Sequence, residues 1–285
     1  LLSFIKNLIN KMIGTTESHV AELFQIIAEK ERSIEISRQV LSDCYDFSVY
    51  QIFNYLDQDK KNFVDALDIM DYLRSKGIYS TNNEARLLIL FYDRNFDDCL
   101  SYDEFVNLVQ SERAIRRTTK YSNQNLSFNI DYSLTNLLRK EIELCRIIID
   151  KLTVIQNRYD FNVDEIYNKI SRYTSINNEQ LREFLIRNAI SFLDPDIRAI
   201  MKRLDLNRDG RIDLNEFHKI LCYPTHFHYN CQIIDHYHCH CHCNYNYPYS
   251  SPPGTYSPRN NYTNTYMNDI PLKLKTERNG INNTL

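Results

Sequence analysis

Asp205-Leu-Asn-Arg-Asp-Gly-Arg-Ile-Asp-Leu-Asn-Glu216 places an oxygen donor at positions one, three, five, seven, nine and twelve of a twelve-residue loop. Asp205, Asn207 and Asp209 offer side-chain oxygens, and Arg211 offers its backbone carbonyl. Asp213 reaches an ion directly or through a water, and Glu216 closes the set with two oxygens. A hard cation such as Ca²⁺ takes about seven oxygens in this order. Gly210 falls where the chain must turn sharply at positive φ, a conformation glycine adopts at no steric cost. Ile212, at position eight, is the apolar residue placed to pair with a second loop. Amphipathic helical patterns flank the run on both sides. An acidic surface loop does not account for so many constrained positions in agreement.

Three further segments stand in the same relation to flanking helical patterns. Asp93-Arg-Asn-Phe-Asp-Asp-Cys-Leu-Ser-Tyr-Asp-Glu104 supplies Asp93, Asn95, Asp97, Ser101 and Glu104 as ligands, with the Cys99 carbonyl at position seven. Asp98 replaces the turn glycine at a cost of about 1 kcal/mol, so this loop is expected to bind less tightly. Asp57 to Asp68 has the outline of another loop. Its position five is Lys61, which cannot ligate and repels a cation, and its position twelve is Asp68, one methylene short of glutamate. Ser171 to Gln180 occupies the fourth place without an acidic ligand set. Val64 and Ile176 keep the apolar pairing position in these two silent loops. Tyr45-Asp46-Phe47 recurs as Tyr159-Asp160-Phe161, each after a long helical pattern. The plan is a long helix, a silent loop and a live loop, twice over.

These loops resemble the EF-hand superfamily of calmodulin-like calcium proteins, over about residues 45–110 and 159–221. The resemblance implies an all-α fold with two EF-hand pairs, each joined by a short antiparallel β bridge. A long helix precedes each pair, and an irregular Cys/His- and Tyr/Asn-rich C-terminal tail follows the second. The expected boundaries are N-terminal helices at 1–44, a first pair at 45–112, a linker at 113–131, a long helix at 132–158, a second pair at 159–221 and the tail at 222–285. The departure from calmodulin is that only the even hands keep ligands, and with four methionines a Met-rich groove is missing. Long helices joined to hand pairs in an Asn- and Tyr-rich chain also resemble the EF-hand proteins of protist cilia. This second likeness implies a cytoplasmic component of the axoneme with microtubule proteins as partners.

The remaining features bound the function. Charged residues are 25% and hydrophobic residues 43% of 285, a globular composition, and a net charge of −3 gives no footprint for nucleic acid. No apolar run is long enough to span a membrane. Leu1 to Ile13 reads as an amphipathic docking helix, with a signal-peptide remnant as the alternative. The scattered Cys44, Cys99 and Cys145 fit reduced intracellular thiols rather than a disulfide framework. Arg116-Arg117-Thr118-Thr119 reads as a solvated basic linker or as a basophilic kinase site. In a first long helix, capped by Thr15 or Thr16 and running to about Ser42, the apolar stripe is Val20, Phe24, Ile27, Ile34 and Leu41. In the second long helix, Leu138, Ile142, Cys145, Ile149 and Leu152 form an interaction seam.

From Cys222 to Cys243 the chain is crowded with cysteine and histidine. Bound Zn²⁺, adventitious metal affinity and plain surface packing are all compatible with it. No phosphate-loop, nucleophile-elbow or zincin motif is present. The sequence is therefore expected to specify a non-catalytic calcium protein with two Ca²⁺ sites. It acts as a structural member of a larger assembly, or as a sensor that captures a target helix, or as a metal-handling protein through its tail.

Overall fold

Helices form where apolar residues recur at intervals of three and four, and capping residues decide where each begins. The computed structural model describes residues 14–113, 125–172 and 175–225. Helix α1 is Thr16–Ser42, started by Thr15, whose hydroxyl accepts the Ser18 N–H at 3.2 Å. The first pair follows as α2 (Val49–Leu56), α3 (Ala66–Ser75), α4 (Asn82–Leu90) and α5 (Tyr102–Val109). Then comes α6 (Phe128–Gln156), and the second pair as α7 (Val163–Ser171), α8 (Asn178–Arg187), α9 (Asp194–Leu204) and α10 (Leu214–Leu221). Helix α6 starts four residues earlier than expected from the sequence, because Ser127 accepts the Ile130 N–H and caps it there. Residues 128–131 are therefore helix, not linker. The Arg116–Thr119 motif, Leu1–Ile13 and the Cys/His run beyond Thr225 lie outside the described residues.

Within each pair the loops join through one antiparallel bridge, Val64 with Leu100 and Ile176 with Ile212. Val64 and Leu100 exchange both backbone hydrogen bonds at 2.9 and 2.8 Å, and Ile176 and Ile212 do so at 2.8 Å. All four side chains are buried. The apolar residue of each of the loops 57–68 and 171–180 thus closes the backbone of the loop beside it, 93–104 or 205–216.

Each long helix precedes a pair in sequence but does not pack mainly on it. Helices α1 and α6 lie antiparallel against each other, as Glu22 with Lys151 and Lys30 with Glu143 require. Helix α6 then packs mainly on α3 and α4 of the first pair, while α1 packs mainly on α9 of the second. Each hand pair therefore rests on the long helix of the other half. The seam residues Leu138, Ile142, Cys145 and Leu152 are buried inside this arrangement, so the seam is internal rather than a free face for partners.

Charged residues occupy two of the seam positions of α1 and one of α6. Glu31 and Arg38 interrupt the buried series Val20, Phe24, Ile27, Ile34 and Leu41, and Glu141 interrupts Leu134, Leu138, Cys145 and Ile148. They meet Arg203 of α9 in one buried cluster. Arg38 donates to Glu31 at 2.7 Å, to Glu141 at 2.8 Å and to the Leu108 carbonyl at 3.0 Å. Arg203 Nε donates to Glu31 at 2.7 Å, and the Tyr92 hydroxyl donates to Glu141 at 2.6 Å. Burial alone would raise the Glu31 pKa, but Arg203, Arg38 and Lys202 outweigh it and hold the carboxyl well below the usual range.

Candidate metal sites

In the loop 205–216, the same residues that start a helix present the oxygens. Helix α9 ends at Leu204, with Asp205 as its cap. Asp205 accepts the Asp209 N–H at 3.1 Å on one oxygen and the Gly210 N–H at 2.9 Å on the other. Gly210 sits at φ +88°, the left-handed turn that this wrapping requires. Asp213 caps α10 by accepting the Glu216 N–H at 2.7 Å, and Glu216 in return accepts the Asp213 N–H at 2.9 Å. The second Glu216 oxygen accepts the Asn207 N–H at 2.9 Å, which draws the position-twelve carboxylate across the loop. Asp205 and Glu216 are buried, whereas Asn207 and Asp209 face solvent.

The loop 93–104 repeats this scaffold. Asp93 accepts the Phe96 N–H at 2.7 Å and the Asp98 N–H at 2.9 Å. Asp98 takes the left-handed turn at φ +63°, as expected of the residue that replaces glycine. Glu104 accepts the Arg94 N–H at 2.9 Å, the Ser101 N–H at 2.9 Å and the Ser101 hydroxyl at 2.6 Å. Cys99 contributes more than a carbonyl. Its thiol donates to Asp97 at 3.0 Å, and burial together with that hydrogen bond pushes the thiol pKa up to about 12.

Oxygen donors crowd both loops. Burial, with Asp97 and Glu104 adding to it, pushes Asp93 up to about 6, although backbone N–H groups oppose the shift. Burial and the neighbouring acids likewise raise Asp205 and Glu216. Among the described residues, no lysine or arginine forms an ion pair with Asp93, Glu104, Asp205 or Glu216. An anionic pocket lined by carboxylate, amide and backbone oxygens, toward which Lys219 and Arg208 are drawn without pairing with its acids, fits a hard cation. The acids are spread around each loop on backbone N–H groups, and among the described residues no three acid, imidazole or thiol side chains converge as a metal cage. In such a loop, Asn and backbone carbonyl oxygens complete the set.

The loop 57–68 keeps the shape and supplies its own cation. Asp57 accepts the Lys61 and Asn62 N–H groups at 2.8 and 2.7 Å, as the position-one acids do elsewhere. The Lys61 ammonium then donates to Asp65 at 2.7 Å and to both Asp68 oxygens at 3.2 and 3.0 Å. Lys61 thus pairs with positions nine and twelve, a stronger role than the repulsion expected from sequence. Burial lowers its pKa, but the bonds to Asp65 and Asp68 prevail and push it up to about 12. Replacing Lys61 with Asp and Asp68 with Glu together is expected to open an additional, weak calcium site. Calorimetry should then count one more ion than in the parent protein, and an unchanged count would show that the loop is silent for another reason. In the loop 171–180, Gln180 donates its side-chain amide to the Ser171 carbonyl, and no acid stands at position twelve.

Of the Cys/His run only Cys222 is described, and it lies beside His218 of the preceding helix. His218 Nε2 lies 2.9 Å from Asp164, and Cys222 Sγ lies 3.8 Å from His218 Nδ1. No described helix is long and apolar enough to cross a membrane.

The family model described as "EF-hand domain pair" matches residues 174–222, which contain the Ile176–Ile212 bridge and the loop 205–216. A curated relative, the "Calcium-binding protein CML19" of Arabidopsis thaliana, is 26% identical over 174 residues, 61% of this chain and 80% of the relative.

Proposed function

The chain belongs to the EF-hand superfamily, and from that premise we propose that it is a non-catalytic interaction protein binding two calcium ions, at 93–104 and 205–216. The observation that carries this reading is that, among the described residues, those two loops share one scaffold with no lysine paired to its acids, whereas in 57–68 Lys61 pairs with Asp65 and Asp68. In each, the position-one acid is held by the N–H groups of the turn and the position-twelve acid by the N–H of position nine. Asp93, Asn95, Asp97, the Cys99 carbonyl, Ser101 and Glu104 hold the first ion. Asp205, Asn207, Asp209, the Arg211 carbonyl, Asp213 and Glu216 hold the second. Calorimetric titration should count two ions, and Glu104→Gln and Glu216→Gln should each remove one, since an amide nitrogen cannot ligate. A count of none, or of four, would sink the proposal.

We favour a cytoplasmic scaffold over a helix-capturing sensor. Both long-helix seams are spent on internal packing, and one loop carries a built-in ammonium in the cation's place. Outward aromatic side chains, such as the stacked Phe128 and Tyr132, suit contact with protein partners, and the ciliary likeness points to an axonemal assembly. A sensor exposes apolar surface on binding calcium. A large calcium-induced rise in binding of an apolar dye would decide for the sensor.

A pH dependence follows for the first site. In the calcium-free protein the folded-state pKa of Asp93, about 6, lies above its value in an unfolded chain, about 3.9. The folded state then binds more protons than the unfolded state between those values. The contribution of Asp93 to calcium-free stability is full below the unfolded pKa and is lost as pH rises through about 6. Calcium must displace that proton, so its stabilising effect runs the other way. Thermal melts with and without calcium should show a calcium-induced rise in Tm that shrinks from pH 7 to pH 5. An equal rise at both pH values would contradict the raised pKa.

A further inference from the structure

The two loops belong to different halves of the repeat, yet each reaches a helix that flanks the other loop from its own position four. Arg208 is position four of the loop 205–216 and adopts φ +64°. Its guanidinium donates to the Phe91 carbonyl at 3.2 Å, at the end of the helix that leads into the loop 93–104, and also to the Lys202 carbonyl. Phe96 is position four of the loop 93–104 and adopts φ +60°. The Lys219 ammonium of α10, the helix leaving the other loop, lies on the Phe96 ring. Lys219 is attracted by Asp93 of one loop and by Asp213 and Glu216 of the other. The residues leading into the two loops are joined as well. Arg203 lies 5.2 Å from the centre of the Tyr92 ring, and both side chains hydrogen-bond to Glu141, at 3.1 and 2.6 Å.

We propose that the loops 93–104 and 205–216 bind their cations as one positively coupled unit, each raising the other's affinity through the reciprocal position-four contacts of Arg208 and Phe96. The inference rests on the calcium reading above. Positions three and five are ligands, so an ion in either loop fixes the backbone of position four between them. The side chain at position four is then held where it grips the other hand. That hand has less conformational freedom left to lose when its own ion arrives. Linkage makes the effect equal in both directions. Repulsion between two bound dications opposes the coupling, but exposed loop surfaces screen it over about 8 Å at physiological salt.

Two amides report the sites separately. The Asp98 N–H is bonded to Asp93 at 2.9 Å and the Gly210 N–H to Asp205 at 2.9 Å, so each amide resonance follows its own loop in an NMR calcium titration. In the intact protein the two curves should rise together and more steeply than for independent sites. In Glu216→Gln the Asp98 midpoint should move to roughly tenfold higher calcium, within the usual range of coupling between sites. In Arg208→Ala, which removes no ligand, the two curves should separate. Phe96→Ala should do the same, and as Phe96 is 41% exposed this variant keeps its core. An Asp98 midpoint unmoved or lowered in Glu216→Gln, or curves still concerted in both position-four variants, would overturn the coupling while two bound ions left the calcium reading intact. No response of either amide to millimolar calcium in the intact protein would overturn both.

Discussion

Arg203→Met is expected to destabilise the folded protein by about 3–5 kcal/mol, the usual cost of breaking a buried ion pair from one side. Arg203 is 1% exposed and pairs with Glu31 and Glu141, which are equally enclosed. Without it, among the described residues, Glu31 keeps Arg38 and Lys202, whereas Glu141 keeps only Arg38 and the Tyr92 hydroxyl. Two buried carboxylates then share too little positive charge, and one must take up a proton or admit water. Urea denaturation at neutral pH measures the loss. Replacing Arg38, Arg203, Glu31 and Glu141 together by apolar residues of similar size should cost less than the single change, because no charge is left uncompensated. A loss below about 1 kcal/mol for Arg203→Met would mean that solvent reaches the cluster.

Separating the halves is expected to abolish cooperative unfolding in each, and mixing them is expected to restore it. The prediction follows from the exchange of long helices. A fragment covering 14–113 loses α6 from beneath α3 and α4, and loses α9 from α1. A fragment covering 125–225 loses the converse surfaces and buries Arg203 without Glu31. Each fragment is about 100 residues, a size that folds alone only if its core stays closed. Heat denaturation followed by circular dichroism, on each fragment and on the equimolar mixture, tests this. A sharp transition in either fragment alone would show that its hand pair does not depend on the other half's helix.

The geometry of the loops 93–104 and 205–216 was legible from sequence because it is local. Twelve consecutive residues determine where Asp205, Gly210 and Glu216 stand, and the capping exchange of Asp213 with Glu216 needs nothing from outside the loop. The same holds for Asp98 in the glycine position and for the pairing of Val64 and Ile176 with their partner loops. The sequence also held one signal that periodicity alone left uninterpreted: Glu31, Arg38 and Glu141 stand at apolar seam positions, where a charge requires a partner. Which partner was decided only in the tertiary structure. Arg203 lies far along the chain from Glu31, and no local pattern specifies a pairing over that distance. The same is true of the exchanged long helices and of Arg208 reaching Phe91. A helical stripe states that a face is buried, but the face opposite it is chosen by how whole helices pack and by which arrangement leaves no buried charge alone.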